Sequence, residues 1–171
     1  MRIPGILFIT LFAFSVNVAI ANTYTKPQLP EVGETPQMIL HKLGNHRRAI
    51  ATDSEEARQW FDQGLALMFG YNFDGAIASF RQATVHDPEC AMAWWGIAYA
   101  SGPNQNNDTI APPKDEWSYA AAQRAYELRH NEADANRALI EAIVSRYNYP
   151  MPEDLGSQNL NYLKAMKKVH E

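Results

Sequence analysis

Apolar residues recur at steps of three and four along most of the chain from residue 51 onward, and no stretch alternates in twos. The first spacing is that of one helix face and the second would be that of a strand. The chain is therefore expected to be all-α. The first helix opens near Thr52-Asp53-Ser54, where Thr52 with Glu55, or Asp53 with Glu56, has the form of a capping box. It carries Ala57, Trp60, Phe61, Gly64, Leu65, Leu67 and Met68 on a broad apolar face, and Gly70-Tyr71-Asn72 breaks it. A second helix is expected over 73–85, with Phe73, Ala76, Ile77, Phe80, Ala83 and Thr84 inward. His86-Asp87-Pro88 ends it, with Asp87 read as the cap and Pro88 as a first-turn residue of a third helix reaching residue 99 or 100.

Ser101-Gly102-Pro103 stops that helix and opens a polar stretch, 101–113, which is long for a link between packed helices. Loops of this length tend to be functional or mobile. Further helices are expected over 114–129, over 132–147 (inner stripe Ala135, Leu139, Ile140, Ile143, Val144) and over 157–169 (Leu160, Leu163 and Met166 apolar). Residues 22–50 hold Pro27, Pro30, Pro36, Gly33 and Gly44 and read as an irregular leader. Met38, Ile39, Leu40 and Leu43 are its candidates for docking on the first helices.

The first 21 residues belong to another category. Ile6 to Ile20 is nearly all apolar, follows Arg2, and ends in Ala19-Ile20-Ala21, the small-x-small form of a signal-peptidase site. The run is shorter than the roughly 20 residues of a membrane span. Residues 1–21 are expected to be a cleaved signal peptide, which places the mature chain in the periplasm or outside the cell with no stable membrane span. The competing reading is an uncleaved anchor. Cleavage would leave fourteen basic residues against nineteen acidic ones, a mild charge of −5 that argues against a nucleic-acid partner. The single cysteine, Cys90, allows no internal disulfide, so stability has to come from a packed core.

Self-similarity sharpens the fold. Trp60, Gly64, Ala76, Phe80, Ala83 and Pro88 stand at the intervals of a 34-residue tetratricopeptide frame running over 57–90. Two antiparallel helices approach closely only at small residues. Gly64, Ala76 and Ala83 provide these, and Trp60 and Phe80 fill the space between. Trp94, Ile97 and Ala98 repeat the opening of the frame, and Ala122 and Tyr126 take the matching places of a second, interrupted repeat over 91–130. Gln63 and Leu67 depart from the usual leucine and tyrosine. The chain resembles tetratricopeptide-repeat (TPR) proteins. More narrowly, Trp60-Phe61-Asp62-Gln63-Gly64-Leu65, Tyr71-Asn72-Phe73-Asp74-Gly75-Ala76 and 87–98 look like a poorly characterised group of exported bacterial repeat proteins. Gly102-Pro103-Asn104 and 137–142 share that likeness, which covers about residues 43–150. It implies an α-solenoid of antiparallel helix pairs over 51–171 and brings no established activity with it. Members of that group are usually longer, and 161–170 looks like the opening of another repeat, so the sequence is expected to be part of a longer chain.

In such a fold the first helix of each repeat lines a groove. The candidate partner-binding residues are Arg58, Phe61, Leu65, Met68 and Phe69 from the first repeat, and Met92, Trp95 and Tyr99 from the second. Aromatic and arginine anchors there would suit a peptide or protein. The competing reading is that they pack against the leader or neighbouring helices. Two other chemistries compete with peptide binding. Cys90 and Met92 with His41, His46 and His86 offer ligands for a soft metal or a redox role, without any Cys-x-x-Cys or His-x-x-x-His motif. Asn104, Asn106, Asn107 and Asp108 offer oxygens but lack the spaced carboxylates of a calcium loop. No phosphate loop or nucleophile turn is present, and the acidic pairs Glu55/Glu56 and Asp115/Glu116 sit where a helix dipole favours them. The expected function is non-enzymatic binding of a protein or peptide, without a cofactor.

Overall fold

The structure is a computed structural model that describes residues 35–104 and 106–170. Residues 1–34, which hold the expected signal peptide and the first part of the expected leader, lie outside the described residues. Among the described residues the chain forms six α-helices and two short 3-10 turns, with no strand beyond a single bridge between Asn104 and Asn107. The helices are α1 (Glu55–Phe69), α2 (Phe73–His86), α3 (Ala91–Ser101), α4 (Lys114–Leu128), α5 (Asp134–Val144) and α6 (Gly156–His170). Neighbours in sequence pack on one another, α1 on α2, α2 on α3 and α3 on α4, with α5 against α3, α4 and α6. None of these helices is long and apolar enough to cross a membrane.

The caps shift from those the sequence suggests. Ser54, not Thr52 or Asp53, is the N-cap of α1, and its hydroxyl accepts from Ala57 N at 3.1 Å. Thr52 instead donates to Asp87 Oδ2 at 2.5 Å, tying the entry of α1 to the exit of α2. Asp87 is thereby occupied: its other oxygen accepts from Glu89 N at 3.0 Å, and α3 starts at Ala91 without a side-chain cap. Pro88 lies in the turn before that helix rather than in its first turn.

The α1–α2 pair turns back on itself at Gly70-Tyr71-Asn72. Gln63 Nε2 donates to Ser79 Oγ at 3.2 Å, and the two stand equally far from Tyr71 on either side, as antiparallel helices require. Phe80 is the centre of this packing. A methyl group added at Gly64 would come within 2.6 Å of its ring, and one at Gly96 would meet the same ring at 2.6 Å. Phe80 is thus held between a bare patch of α1 and a bare patch of α3, with Phe61 tilted against it at 5.5 Å. Ala76 and Ala83 are fully buried beside it. Gly64, Ala76 and Ala83 stand where this close packing needs small residues.

α3 is apolar nearly all round and is buried on every side except at Trp94 and Tyr99, which are half-buried; a helix of that pattern belongs in the interior. Against it α4 lays a stripe of small residues, Ser118, Ala121, Ala122 and Ala125. The ring of Tyr126 stays outside, with the Arg129 guanidinium 3.5 Å from its centroid.

The leader ends in a strap over residues 37–51. Leu40 is buried and Met38 packs on the core, while Ile39 docks through its amide and Leu43 is half-exposed. Most of the grip on the strap is polar. Gln63 accepts from Ile39 N at 2.6 Å and donates to Gln37 O at 3.1 Å. Asp62 accepts from Arg48 N and pairs with Arg47 at 3.3 Å. Asn136 donates to Ala49 O at 2.9 Å, and Glu132 accepts from Ala51 N. These four side chains are buried because they satisfy backbone groups of an irregular segment that has no ladder of its own. Burial pushes the Asp62 carboxyl above its ordinary range, against the opposing pull of the Arg48 amide and the Arg47 charge. The requirement also rotates α5: Asn136 takes the inner place expected of Ala135, which is exposed.

Candidate functional site

The eight candidate groove residues do not form one surface. Phe61, Leu65, Met68, Met92 and Trp95 lie inside the core. An exposed groove built on these five is replaced by packing, because α2, α3 and the strap cover the apolar face of α1 from several sides. Arg58 is half-exposed at the opposite end of α1 from Phe69, roughly 16 Å away by the helical rise. Its Nη2 donates to Thr52 O at 2.6 Å and its Nη1 pairs with Glu55, so it fastens the helix entry.

Three of the eight do meet. Met68, Phe69 and Tyr99 line a cleft of about 280 Å³ together with Tyr71, Phe73, Pro103, Asn104, Arg146 and Tyr162. Phe69 is 67 % exposed and Tyr71 is 55 % exposed, the two largest exposures among the big apolar side chains of the described residues. On the facing wall Tyr99 stacks on Trp95 at 5.3 Å, so a buried ring fixes the position of a half-buried one. Below, Tyr147 donates to Ala98 O at 2.8 Å, and Gly102 leaves room for its hydroxyl, which a Cβ there would strike. Burial pushes the Tyr147 phenol well above its usual range.

Two residues that define this cleft, Tyr71 and Arg146, carry no local signal of that role. Tyr71 has φ 62°, the left-handed region that a bulky residue seldom adopts. The reason is the end of α1. Asn72 N donates to Leu67 O at 2.9 Å and Tyr71 N to Met68 O at 3.1 Å, the bond pattern of a Schellman cap. Glycine normally fills the left-handed position of that cap. Here Gly70 precedes it at an ordinary φ of −83°, and tyrosine takes the strained place. Asn72 then caps α2 by accepting from Gly75 N at 3.0 Å. A Gly-Tyr-Asn turn reads only as a helix break until the register of the cap is known.

Arg146, just past α5, enters the cleft from the other side. Its Nη2 donates to Pro103 O at 2.8 Å and its guanidinium carbon lies 4.8 Å from the centre of the Tyr162 ring. Its Nε is buried with no hydrogen-bond partner. Burial raises the Tyr162 phenol above its ordinary value, while the Arg146 charge pulls it down.

A second hollow of about 580 Å³ adjoins the first, sharing Tyr71, Phe73 and Asn104 and running under the 101–113 loop to Trp117. The loop's asparagines are occupied in holding it: Asn104 Oδ1 accepts from Asn106 N and Asn107 N, and Asn107 Oδ1 accepts from Thr109 N. Those two oxygens serve turns rather than a cation.

Cys90 and Met92 are fully buried, whereas His41, His46 and His86 are exposed. Burial pushes the Cys90 thiol up to about 12, so it is protonated at neutral pH and presents no thiolate. Among the described residues no group of three or more His, Cys, Asp or Glu side chains is arranged to hold a metal ion. No family model, curated protein or solved structure matches this chain.

Proposed function

We propose that the chain is a non-enzymatic scaffold of TPR type that acts in the periplasm or outside a bacterial cell and binds a protein or peptide. The export reading rests on the apolar segment before Ala21, and the repeat reading on the 34-residue spacing and the packed consecutive helix pairs. The single observation that carries binding is the aromatic cleft. Exposed Phe69 and Tyr71 line one hollow with Tyr99 and Tyr162, and large exposed apolar groups gathered in one place mark interaction sites more often than scattered ones do. The docking face is accordingly the end of the helix pairs where α1 turns into α2, rather than the α1–α3 groove.

The test is crosslinked capture from the native envelope, with the captured protein identified and rebound in purified form. Phe69→Ala/Tyr71→Ala should abolish capture while the helical circular dichroism stays unchanged. Trp95→Ala should unfold or loosen the chain, since it removes a core ring. Capture that is untouched by the Phe69/Tyr71 change, in a folded protein, would rule the cleft out as the docking face.

A further inference from the structure

We propose that the Phe69–Arg146 cleft is a pocket for one apolar or aromatic monocarboxylate group, its apolar body among the aromatic walls and its carboxylate on Arg146. This rests on the reading of the cleft as the binding face and adds the chemistry of what enters it.

Size is the first argument. About 280 Å³ lies just below the range of drug-sized ligand cavities, roughly 300–1,000 Å³. It holds a single ring or branched side chain rather than a length of peptide. The walls are the second. Phe69, Tyr71, Phe73, Tyr99 and Tyr162 offer ring faces and edges, and Met68 closes the floor with an adaptable thioether. Such walls suit an apolar body and give a bare inorganic anion nothing.

Charge is the third. Among the described residues Arg146 is the sole charged side chain lining the cleft, and no Asp or Glu lines it. Five other arginines, Arg47, Arg58, Arg124, Arg129 and Arg137, each pair with a carboxylate, and Arg48 donates to the Asn136 amide oxygen. Arg146 has no carboxylate partner among the described residues. Its guanidinium is nonetheless fixed, by Pro103 O, the Tyr162 ring and the neighbouring Tyr147 ring. A positioned guanidinium with no carboxylate partner in an apolar recess favours a carboxylate and disfavours a cation. Tyr71 is the fourth. The cap of α1 fixes its backbone, and its ring, 55 % exposed, walls this pocket.

The experiment titrates the purified, host-processed chain with 3-phenylpropionate, 3-phenylpropionamide and sulfate. Binding is followed by calorimetry and by the NMR signals of Tyr71, Tyr99 and Tyr162. The acid should bind saturably, and the amide about ten- to a hundredfold more weakly, the span of a charged hydrogen bond. Arg146→Gln should weaken the acid by a similar factor. Tyr71→Gly, which suits the local backbone and so keeps the fold, should weaken acid and amide alike. N-acetyl-phenylalanine and its amide form a further arm. Tighter binding of that acid than of 3-phenylpropionate identifies a chain-terminal residue as the source, and weaker binding identifies a free acid. Equal binding of acid and amide, equal binding of sulfate, or no saturable binding by a folded chain overturns the proposal. If no acid binds while capture of a partner still needs Phe69 and Tyr71, the pocket chemistry falls and the docking reading stands. Acid binding with no captured partner leaves the pocket chemistry in place and removes the docking reading.

Discussion

α2 buries Phe80 completely, whereas α4 leaves Tyr126 at the surface. Phe80 of α2 and Tyr126 of α4 each stand four residues after an alanine, Ala76 and Ala122. Phe80 is wholly enclosed because Gly64 and Gly96 open a space for it in the two helices that flank α2. Tyr126 finds no such space. α4 meets α3 through alanines and a serine, so the helices come together without a ring between them, and Tyr126 is 38 % exposed under Arg129. Equal spacing therefore produces two kinds of contact. What decides between them is whether a glycine stands opposite, and that belongs to the partner helix rather than to the frame.

The same contrast recurs toward the C-terminal end. α6 is as long as α1 but buries only Gln158, and Leu160 and Leu163 stay exposed. Its half-buried Tyr162 instead forms one side of the cleft. The well-packed pairs supply rigidity and the less buried end supplies surface.

Four substitutions press on this difference. Phe80→Ala should cost about 3–5 kcal/mol, since the ring fills a space bounded by two glycines that cannot reach across it. Chemical denaturation measures this, and a loss below about 1 kcal/mol, no more than an average substitution, would mean that the glycines do not define the pair. Tyr71→Gly should raise stability by about 1 kcal/mol, because glycine carries no penalty at a left-handed φ. The thermal midpoint should rise, and a fall would show that the Tyr71–Phe73 edge contact outweighs the backbone strain. Leu160→Ala/Leu163→Ala should change stability by no more than about 0.5 kcal/mol each, as for surface positions. A larger loss in denaturant would place these leucines in a buried contact.

Much of the fold is legible in the chain. The steps of three and four locate the six helices of the described residues, and Gly70-Tyr71-Asn72, His86-Asp87-Pro88 and Ser101-Gly102-Pro103 mark helix ends. The site is legible only in part. Met68, Phe69 and Tyr99 line the cleft, but Phe61, Leu65, Met92 and Trp95, groove residues by their spacing, are core. An apolar stripe records that a helix buries a face. It does not record how many neighbours bury it, and α1 is covered by α2, α3 and the strap.

The sequence by itself determined the local elements, because helix periodicity, breakers and small residues act within a turn or across one short link. Tertiary structure alone decided which polar residues go inside and where the cleft opens. Asp62, Gln63, Glu132 and Asn136 look like surface residues until the strap brings backbone groups that need them. Arg146 looks like any exposed arginine until Pro103 O and the Tyr162 ring hold it beside Phe69 and Tyr71. Most of those partners lie tens of residues away along the chain, and no local pattern encodes a hydrogen bond between segments that meet only once the helices have packed.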